Sequence, residues 1–274
     1  MASDQPIGVF DSGVGGLSVL RELQRHMPNE NYLYIGDSAR MPYGPRPAAT
    51  VKQFTCEAAF FLREAGAKAM VIACNTATVA ALEAAREAFP DLPVIGVVES
   101  GCLAAVEATC NGHIALLATK GTIASGAHAA RINELRPGTR VTGIAAPLFV
   151  ALAEEGWMDG AAPDAVAERY LSALFSGPEA NRPDCLILGC THFPFLRDSI
   201  RKTVGERTAL VDPAEITARQ TRSLLEEQGL LRQKCSPGAT TLSVTADPEH
   251  FAGISTLFLG KPVSAAEVRT IALG

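Results

Sequence analysis

The stretch VIACNTAT, residues 71–78, runs an apolar segment into Cys74, and the cysteine directly into Asn75 and Thr76. A short apolar run ended by cap-forming residues and followed by TATVAALEAAREAF (76–89) reads as a buried strand turning into a helix. A second stretch, CLILGCTHFP (185–194), repeats the order: apolar run, then Cys190, Thr191 and His192. Both junctions belong to a chain in which buried strands alternate with helices, and that alternation predicts parallel α/β architecture.

Outward from the first junction the pattern is regular. IGVF (7–10) reads as a strand, followed by a glycine-rich turn and a helix from about Leu17 to His26. YLYIG (32–36) is a second strand, and DSARMPYGPRP (37–47) is a loop dense in proline and glycine. Thr50 with Gln53 has the spacing of a capping box for a helix running to about Ala65. AMVIA (69–73) is the third strand and PVIGVV (93–98) the fourth.

The order then begins again. HIALLAT (113–119) resembles IGVFDS (7–12), and CLILG (185–189) resembles AMVIA, again with cysteine at the strand's end. Asp11 and Cys74 are 63 residues apart, the corresponding Ala118 and Cys190 72. These spacings predict two pseudo-symmetric α/β domains, each with a parallel sheet, related by internal duplication, with the active site in the cleft between them. The tail shows a helix (214–228), a strand (240–245) and a short helix from Pro248. Its return to the first copy would make that domain discontinuous, 1–98 plus about 213–274, with 99–212 as the second.

Composition sets the limits. With 274 residues, 47% hydrophobic and 19% charged, the chain can fill one large or two modest cores. A net charge of −5 lacks the clustered Lys and Arg of a nucleic-acid footprint. No apolar run is long enough for a bilayer and MASDQP is no signal peptide, so no membrane role and a cytoplasmic location are expected. The seven cysteines (56, 74, 102, 110, 185, 190, 235) include no C-x-x-C pair and no zinc-ligand spacing. Most are expected as small buried apolar residues.

Functional groups in open α/β sheets gather beyond the C-terminal strand ends. Here those positions hold Asp11 and Ser12, Tyr43 and Gly44, and the two cysteine turns. A cysteine at a helix N-terminus meets the positive end of the dipole, which favours thiolate. Asn75, Thr76 and Thr191 would set amide and hydroxyl groups beside the thiols, suited to a carboxylate and an ammonium. His192 is a proton partner within reach of Cys190, since imidazole titrates near neutrality; Glu154 is a weaker candidate. DSGVGG (11–16) is no dinucleotide fingerprint, because Ser18 stands where the third glycine belongs.

DSGVGG (11–16), MPYG (41–44), ACNTAT (73–78), IGVVESG (95–101) and LGCTHFP (188–194) together resemble the cofactor-independent aspartate/glutamate racemases, in the glutamate branch. The resemblance runs in order from Ile7 to TADPEHF (245–251), with Ser100 in place of proline and Phe193 in place of tyrosine. It implies that Cys74 and Cys190 are the catalytic acid/bases, with Asp11 assisting Cys74, and His192 and Glu154 assisting Cys190. It implies that Asp11, Ser12, Tyr43, Gly44, Asn75, Thr76, Thr191 and His192 contact glutamate, and that Thr119 and Thr122 hold its side-chain carboxylate. It further implies a supply of D-glutamate for peptidoglycan, and leaves room for a homodimer. Inversion of a stereocentre needs a base on one face of Cα and an acid on the other, which two equivalent thiols supply. A pyridoxal mechanism would need a Schiff-base lysine, and none of the six lysines lies in a cysteine turn, so no cofactor is expected. Alternatives are a racemase or isomerase for aspartate or another small acid, and a non-catalytic glutamate-binding or thiol redox protein.

Overall fold

The computed structural model describes residues 2–178 and 181–274. It divides into two compact units, residues up to Val97 with Ala214–Gly274, and Val98–Pro213. In the first, β1 (Ile7–Asp11) is wholly buried and lies between its neighbours, as a near-continuous apolar strand covered on both faces should. It leads through the 12–16 turn into α1 (Leu17–His26), then β2 (Tyr32–Gly36), α2 (Ala48–Glu64), β3 (Ala69–Ile72), α3 (Asn75–Ala88) and β4 (Val94–Gly96).

The 11–16 turn is tied inward. Tyr34 donates its hydroxyl hydrogen to the Gly13 carbonyl at 2.7 Å, and the Gly13 amide donates to Asp11 Oδ2 at 3.0 Å. A Cβ at Gly36 would stand 2.6 Å from the Gly13 carbonyl oxygen, and one at Gly16 would overlap the Asp11 side chain. Both glycines are therefore needed for the turn to close against β1 and β2. The expected capping box is absent: α2 starts three residues earlier than that box would set it, after Pro47, and Gln53 instead bonds Glu57 at 2.8 Å. Proline presets the extended-to-helical entry, and no side chain caps it. Strand β4 stops at Gly96, and the residues expected to extend it, Val97 and Val98, open a helix.

The second unit carries α4 (Val97–Ala108), β5 (His113–Ala118), α5 (Lys120–Ser125), α6 (Ala127–Leu135), β6 (Arg140–Ala145), α7 (Pro147–Glu154), α8 (Ala161–Phe175), β7 (Cys185–Gly189), α9 (Arg197–Val204) and β8 (Ala209–Val211). Its parallel sheet has the order β6-β5-β7-β8. Phe149 of α7 packs edge-on against Phe193 at 5.5 Å and Tyr170 at 5.6 Å, so the segment after β7 is seated on α7.

The chain then returns to the first unit with α10 (Pro213–Glu227), β9 (Thr240–Val244), α11 (Pro248–Leu259) and β10 (Val268–Thr270). Strand β9 pairs with β2, and the short edge strand β10, which no sequence reading placed, pairs with β9. The first sheet thus runs β10-β9-β2-β1-β3-β4, all parallel, and its β2-β1-β3-β4 portion has the order of the second sheet. Of the cysteines, 74, 102, 185 and 190 are buried as expected, while Cys110 and Cys235 are exposed; Cys110 lies two residues beyond the end of α4.

A buried ion pair fastens the returning segment. Lys68 Nζ meets Glu30 Oε2 at 2.5 Å and the carbonyls of Ser3 and Leu230 at 2.8 Å, and Glu30 Oε1 accepts from the Arg232 amide at 2.7 Å. Removing one member leaves the other charge buried and unpaired, which costs about 3–5 kcal/mol. Lys68→Met is therefore expected to lower unfolding free energy by about that amount in urea denaturation, and Lys68→Met with Glu30→Leu to recover part of it.

Candidate active site

Parallel pairing brings the C-terminal ends of β1 and β3 side by side: Phe10 is level with Ile72, and the Ala73 amide donates to the Phe10 carbonyl at 2.8 Å. Asp11, fully buried, therefore stands beside the Cys74 turn. Cys74 has extended backbone angles and is the N-cap of α3, its sulfur accepting from the Ala77 amide at 3.5 Å. The sulfur takes the place that a Ser or Asp oxygen usually holds at a helix start. A donor and the dipole's positive end both favour negative charge there.

Asn75 and Thr76 follow as the first residues of α3, both nearly buried. The carboxamide oxygen of Asn75 has no hydrogen-bond partner among the described residues. A buried acceptor of this kind is costly unless a donor meets it. Tyr43 lies in the same apolar cluster as Cys74, with its ring 6.3 Å from Phe10 and 5.7 Å from Phe54. Its hydroxyl donates to Asp37. Burial, then the charge and hydrogen bond of Asp37, push its pKa far above the ordinary phenol value, so it stays protonated. Ser12 and Gly44 are half-buried in the same two loops.

In the second unit β5 and β7 end level, Ala118 beside Gly189. Thr119 caps α5, its hydroxyl oxygen accepting from the Thr122 amide at 3.3 Å and lying 3.1 Å from the Thr122 hydroxyl. After β7 the path differs from that after β3. Thr191 and His192 lead into a 3₁₀ turn, Phe193–Leu196, and only then into α9. Cys190 is therefore not an α-helix N-cap, and the expectation of a helix dipole at each thiol is corrected to one thiol.

What Cys190 has instead is a chain of proton-bearing groups. Its sulfur lies 3.6 Å from His192 Nδ1, and His192 Nε2 lies 2.5 Å from Glu154 Oε1. Glu154 is the last residue of α7, the helix on which the Phe193 ring is seated. Burial alone would lower the pKa of His192. Its hydrogen bonds to Cys190 and Glu154, and their charges, outweigh that and raise it well above the ordinary value.

Comparison with known proteins places the chain in a family. The model of the Asp/Glu/Hydantoin racemase family matches residues 7–221. The chain belongs to this family. It is 42% identical to a glutamate racemase of Levilactobacillus brevis, over 97% of this chain and 98% of that one. It is 43% identical to a glutamate racemase of Geobacter metallireducens, over 93% and 92%. The crystal structure of glutamate racemase from Francisella tularensis in complex with D-glutamate superposes with a TM-score of 0.90, at 34% identity over 98% of both chains. Family membership makes this protein an enzyme of the racemase type.

Of the sequence-predicted residues, Asp11, Ser12, Tyr43, Gly44, Asn75 and Thr76 belong with Cys74 to the first unit, and Thr119, Thr122, Glu154, Thr191 and His192 with Cys190 to the second. Sequence reasoning missed Asp37 and Arg40, the partners of the Tyr43 loop. Their one signal was the Asp-x-x-Arg spacing inside a segment read only as loop. Among the described residues no group of three His, Cys, Asp or Glu stands close enough to hold a metal, and no helix is long and apolar enough to cross a membrane.

A raised pKa means that the charged His192 pair stabilises the fold fully below about 6.5, the ordinary imidazole value, and that this contribution is lost as pH rises through the raised value. Proton NMR titration is expected to show a His192 midpoint above 6.5, while His128, pushed down to about 4 by burial, remains neutral in the same spectra. Glu154→Gln removes one raising charge and should move the His192 midpoint downward.

Proposed function

We propose that the protein interconverts L- and D-glutamate by moving the Cα proton between Cys74 and Cys190. The observation that carries the reading is a cysteine just beyond the end of the corresponding strand of each sheet, β3 and β7, each with its own means of handling a proton. Substrate identity rests on the glutamate racemases that this chain matches along nearly its whole length. One thiolate removes the Cα proton and becomes a thiol; the other thiol delivers its proton to the opposite face and becomes a thiolate. The reverse reaction exchanges the roles, so no net proton is consumed.

An unperturbed thiol titrates at about 8.5, which leaves only a few per cent thiolate at neutrality. The Ala77 amide at the N-cap meets the Cys74 sulfur, and His192 stands 3.6 Å from the Cys190 sulfur as its proton partner. Asn75 Oδ1 accepts a hydrogen bond from the substrate ammonium, while Thr76, Thr191, Ser12 of the turn after β1 and the loop carrying Tyr43 and Gly44 provide donors for the carboxylates. Thr119 and Thr122 complete the set. Donors aimed at the α-carboxylate stabilise the charge that develops on deprotonation. The reaction draws on no cofactor or metal, and its D-glutamate supplies peptidoglycan precursors in the cytoplasm.

Circular dichroism of purified enzyme with L-glutamate is expected to decay to zero, and extensive dialysis against chelator, without pyridoxal phosphate, should leave the rate unchanged. Cys74→Ala and Cys190→Ala should each lower it by about 10³-fold or more, in line with the loss of an acid or base. Alanine at Cys56, Cys102, Cys110, Cys185 or Cys235 should leave turnover near that of the parent. Saturable glutamate binding without turnover would identify a binding protein instead.

Unlike helpers predict unequal effects. The free enantiomers have equal energy, so a substitution must change kcat/KM equally in both directions. His192→Asn should nevertheless slow solvent-deuterium wash-in to unreacted L-glutamate and to unreacted D-glutamate by different factors. The family resemblance assigns L-glutamate to Cys190 and D-glutamate to Cys74. Identical factors for His192→Asn and Asp11→Asn would remove the case for one helper per thiol.

A further inference from the structure

The loop that carries Tyr43 and Gly44 is held from two sides, and one side belongs to the returning segment. Register explains how. Strand β2 pairs with β9 up to Gly36 opposite Val244, so the next residues, Asp37 and Thr245, leave the sheet together. The Thr245 amide donates to the Gly36 carbonyl at 3.1 Å, and its hydroxyl donates to Asp37 Oδ1 at 2.8 Å. The same hydroxyl oxygen accepts from the Ala39 amide at 2.9 Å. One residue on, Ser38 donates to the Ala246 carbonyl at 2.5 Å and accepts from the Ala246 amide at 3.0 Å.

Asp37 passes this hold to the loop. It is fully buried, and its amide donates to the Asp11 carbonyl at 3.0 Å. Its Oδ2 accepts from Arg40 Nε at 2.6 Å and from the Tyr43 hydroxyl. The Arg40 guanidinium bonds Glu57 of α2 and lies 4.0 Å above the Phe54 ring, and the Arg40 carbonyl accepts from Arg46 Nε at 2.7 Å. A carboxylate buried among three donors has one arrangement in which all are satisfied. Losing the Thr245 donor leaves an oxygen of a buried charge under-satisfied, and the loop must shift to compensate.

We propose that Thr245 is a positioning residue: through Asp37 it fixes the Tyr43–Gly44 loop at the substrate, so that the segment after β9 sets the geometry of substrate binding without touching it. This rests on the reading that Tyr43 and Gly44 contact glutamate. Thr245 serves binding rather than proton transfer, since neither thiol is among its partners described above.

The test uses the full-length enzyme with Thr245→Val, which keeps the side-chain shape and removes the hydroxyl, and Thr245→Ser, which restores it. Two readouts are taken: amide hydrogen exchange of residues 37–46 by mass spectrometry, and KM and kcat for both enantiomers. Thr245→Val should speed exchange and raise KM, each by roughly tenfold, the scale of one buried hydrogen bond, with kcat within about threefold. Thr245→Ser should return both to near the parent values. Unchanged exchange in Thr245→Val overturns the clamp, and faster exchange with unchanged KM overturns the positioning role. Ser38→Ala, which cuts the neighbouring tie, replaces Thr245→Val if that variant fails to fold, and the same two outcomes decide. A parent enzyme inactive on glutamate would refute the proposed function and the positioning role with it, while exchange would still read the clamp by itself.

Discussion

Parallel pairing sets all strand C-terminal ends along one edge of a sheet, and nearly every chemically pointed side chain here hangs from such an end or from the loop after it. Asp11 ends β1, the Tyr43 loop follows β2, Cys74 follows β3, Thr119 follows β5, and Cys190 and His192 follow β7. The central strands β1, β3, β5 and β7 are wholly buried runs, apolar but for Asp11 and His113 at their ends, and what they contribute is rigidity. A register slip of one residue would turn Asp11 away from the Cys74 turn, and burial on both sides makes that slip costly.

The two cysteine turns set thiols after similar strands in physically different surroundings. Cys74 leads at once into a fourteen-residue helix and takes its N-cap, so the Ala77 amide stands at the sulfur. Cys190 is followed by a 3₁₀ turn containing Pro194, and the long helix is lost. A histidine bonded to a carboxylate occupies that side instead. Backbone donors offer fixed partial charge, whereas an imidazolium offers a full charge and a proton that can move. Phe193, standing where the family resemblance calls for tyrosine, loses only a hydroxyl; its ring still packs on Phe149 and seats the turn on the helix that ends in Glu154.

The returning segment ties both ends of the first sheet. At the strand starts, Lys68 and Glu30 bind Leu230 and Arg232. At the strand ends, Thr245 and Ala246 bind Asp37, Ser38 and Ala39. An added strand that merely extended the sheet would need only its ladder. The polar contacts at both of its ends relate the last quarter of the chain to the loop that carries Tyr43.

Alternation of buried runs with helical segments was enough to determine parallel α/β class from the sequence, because a parallel strand covered on both faces must be apolar throughout. The candidate residues were legible for a related reason: they adjoin those runs directly, as Asp11 follows Phe10 and Cys74 follows Ala73. Resemblance of short motifs supplied the chemistry. What the sequence by itself could not decide were relations between residues distant along the chain. The 3₁₀ turn after Cys190, the bond from His192 to Glu154 38 residues away, and the contact of Thr245 with Asp37 208 residues away all depend on tertiary packing. Strand β10 was invisible because a three-residue edge strand buries too little to leave an apolar run. Local pattern records which residues must be covered; only the folded sheet decides which distant side chain does the covering.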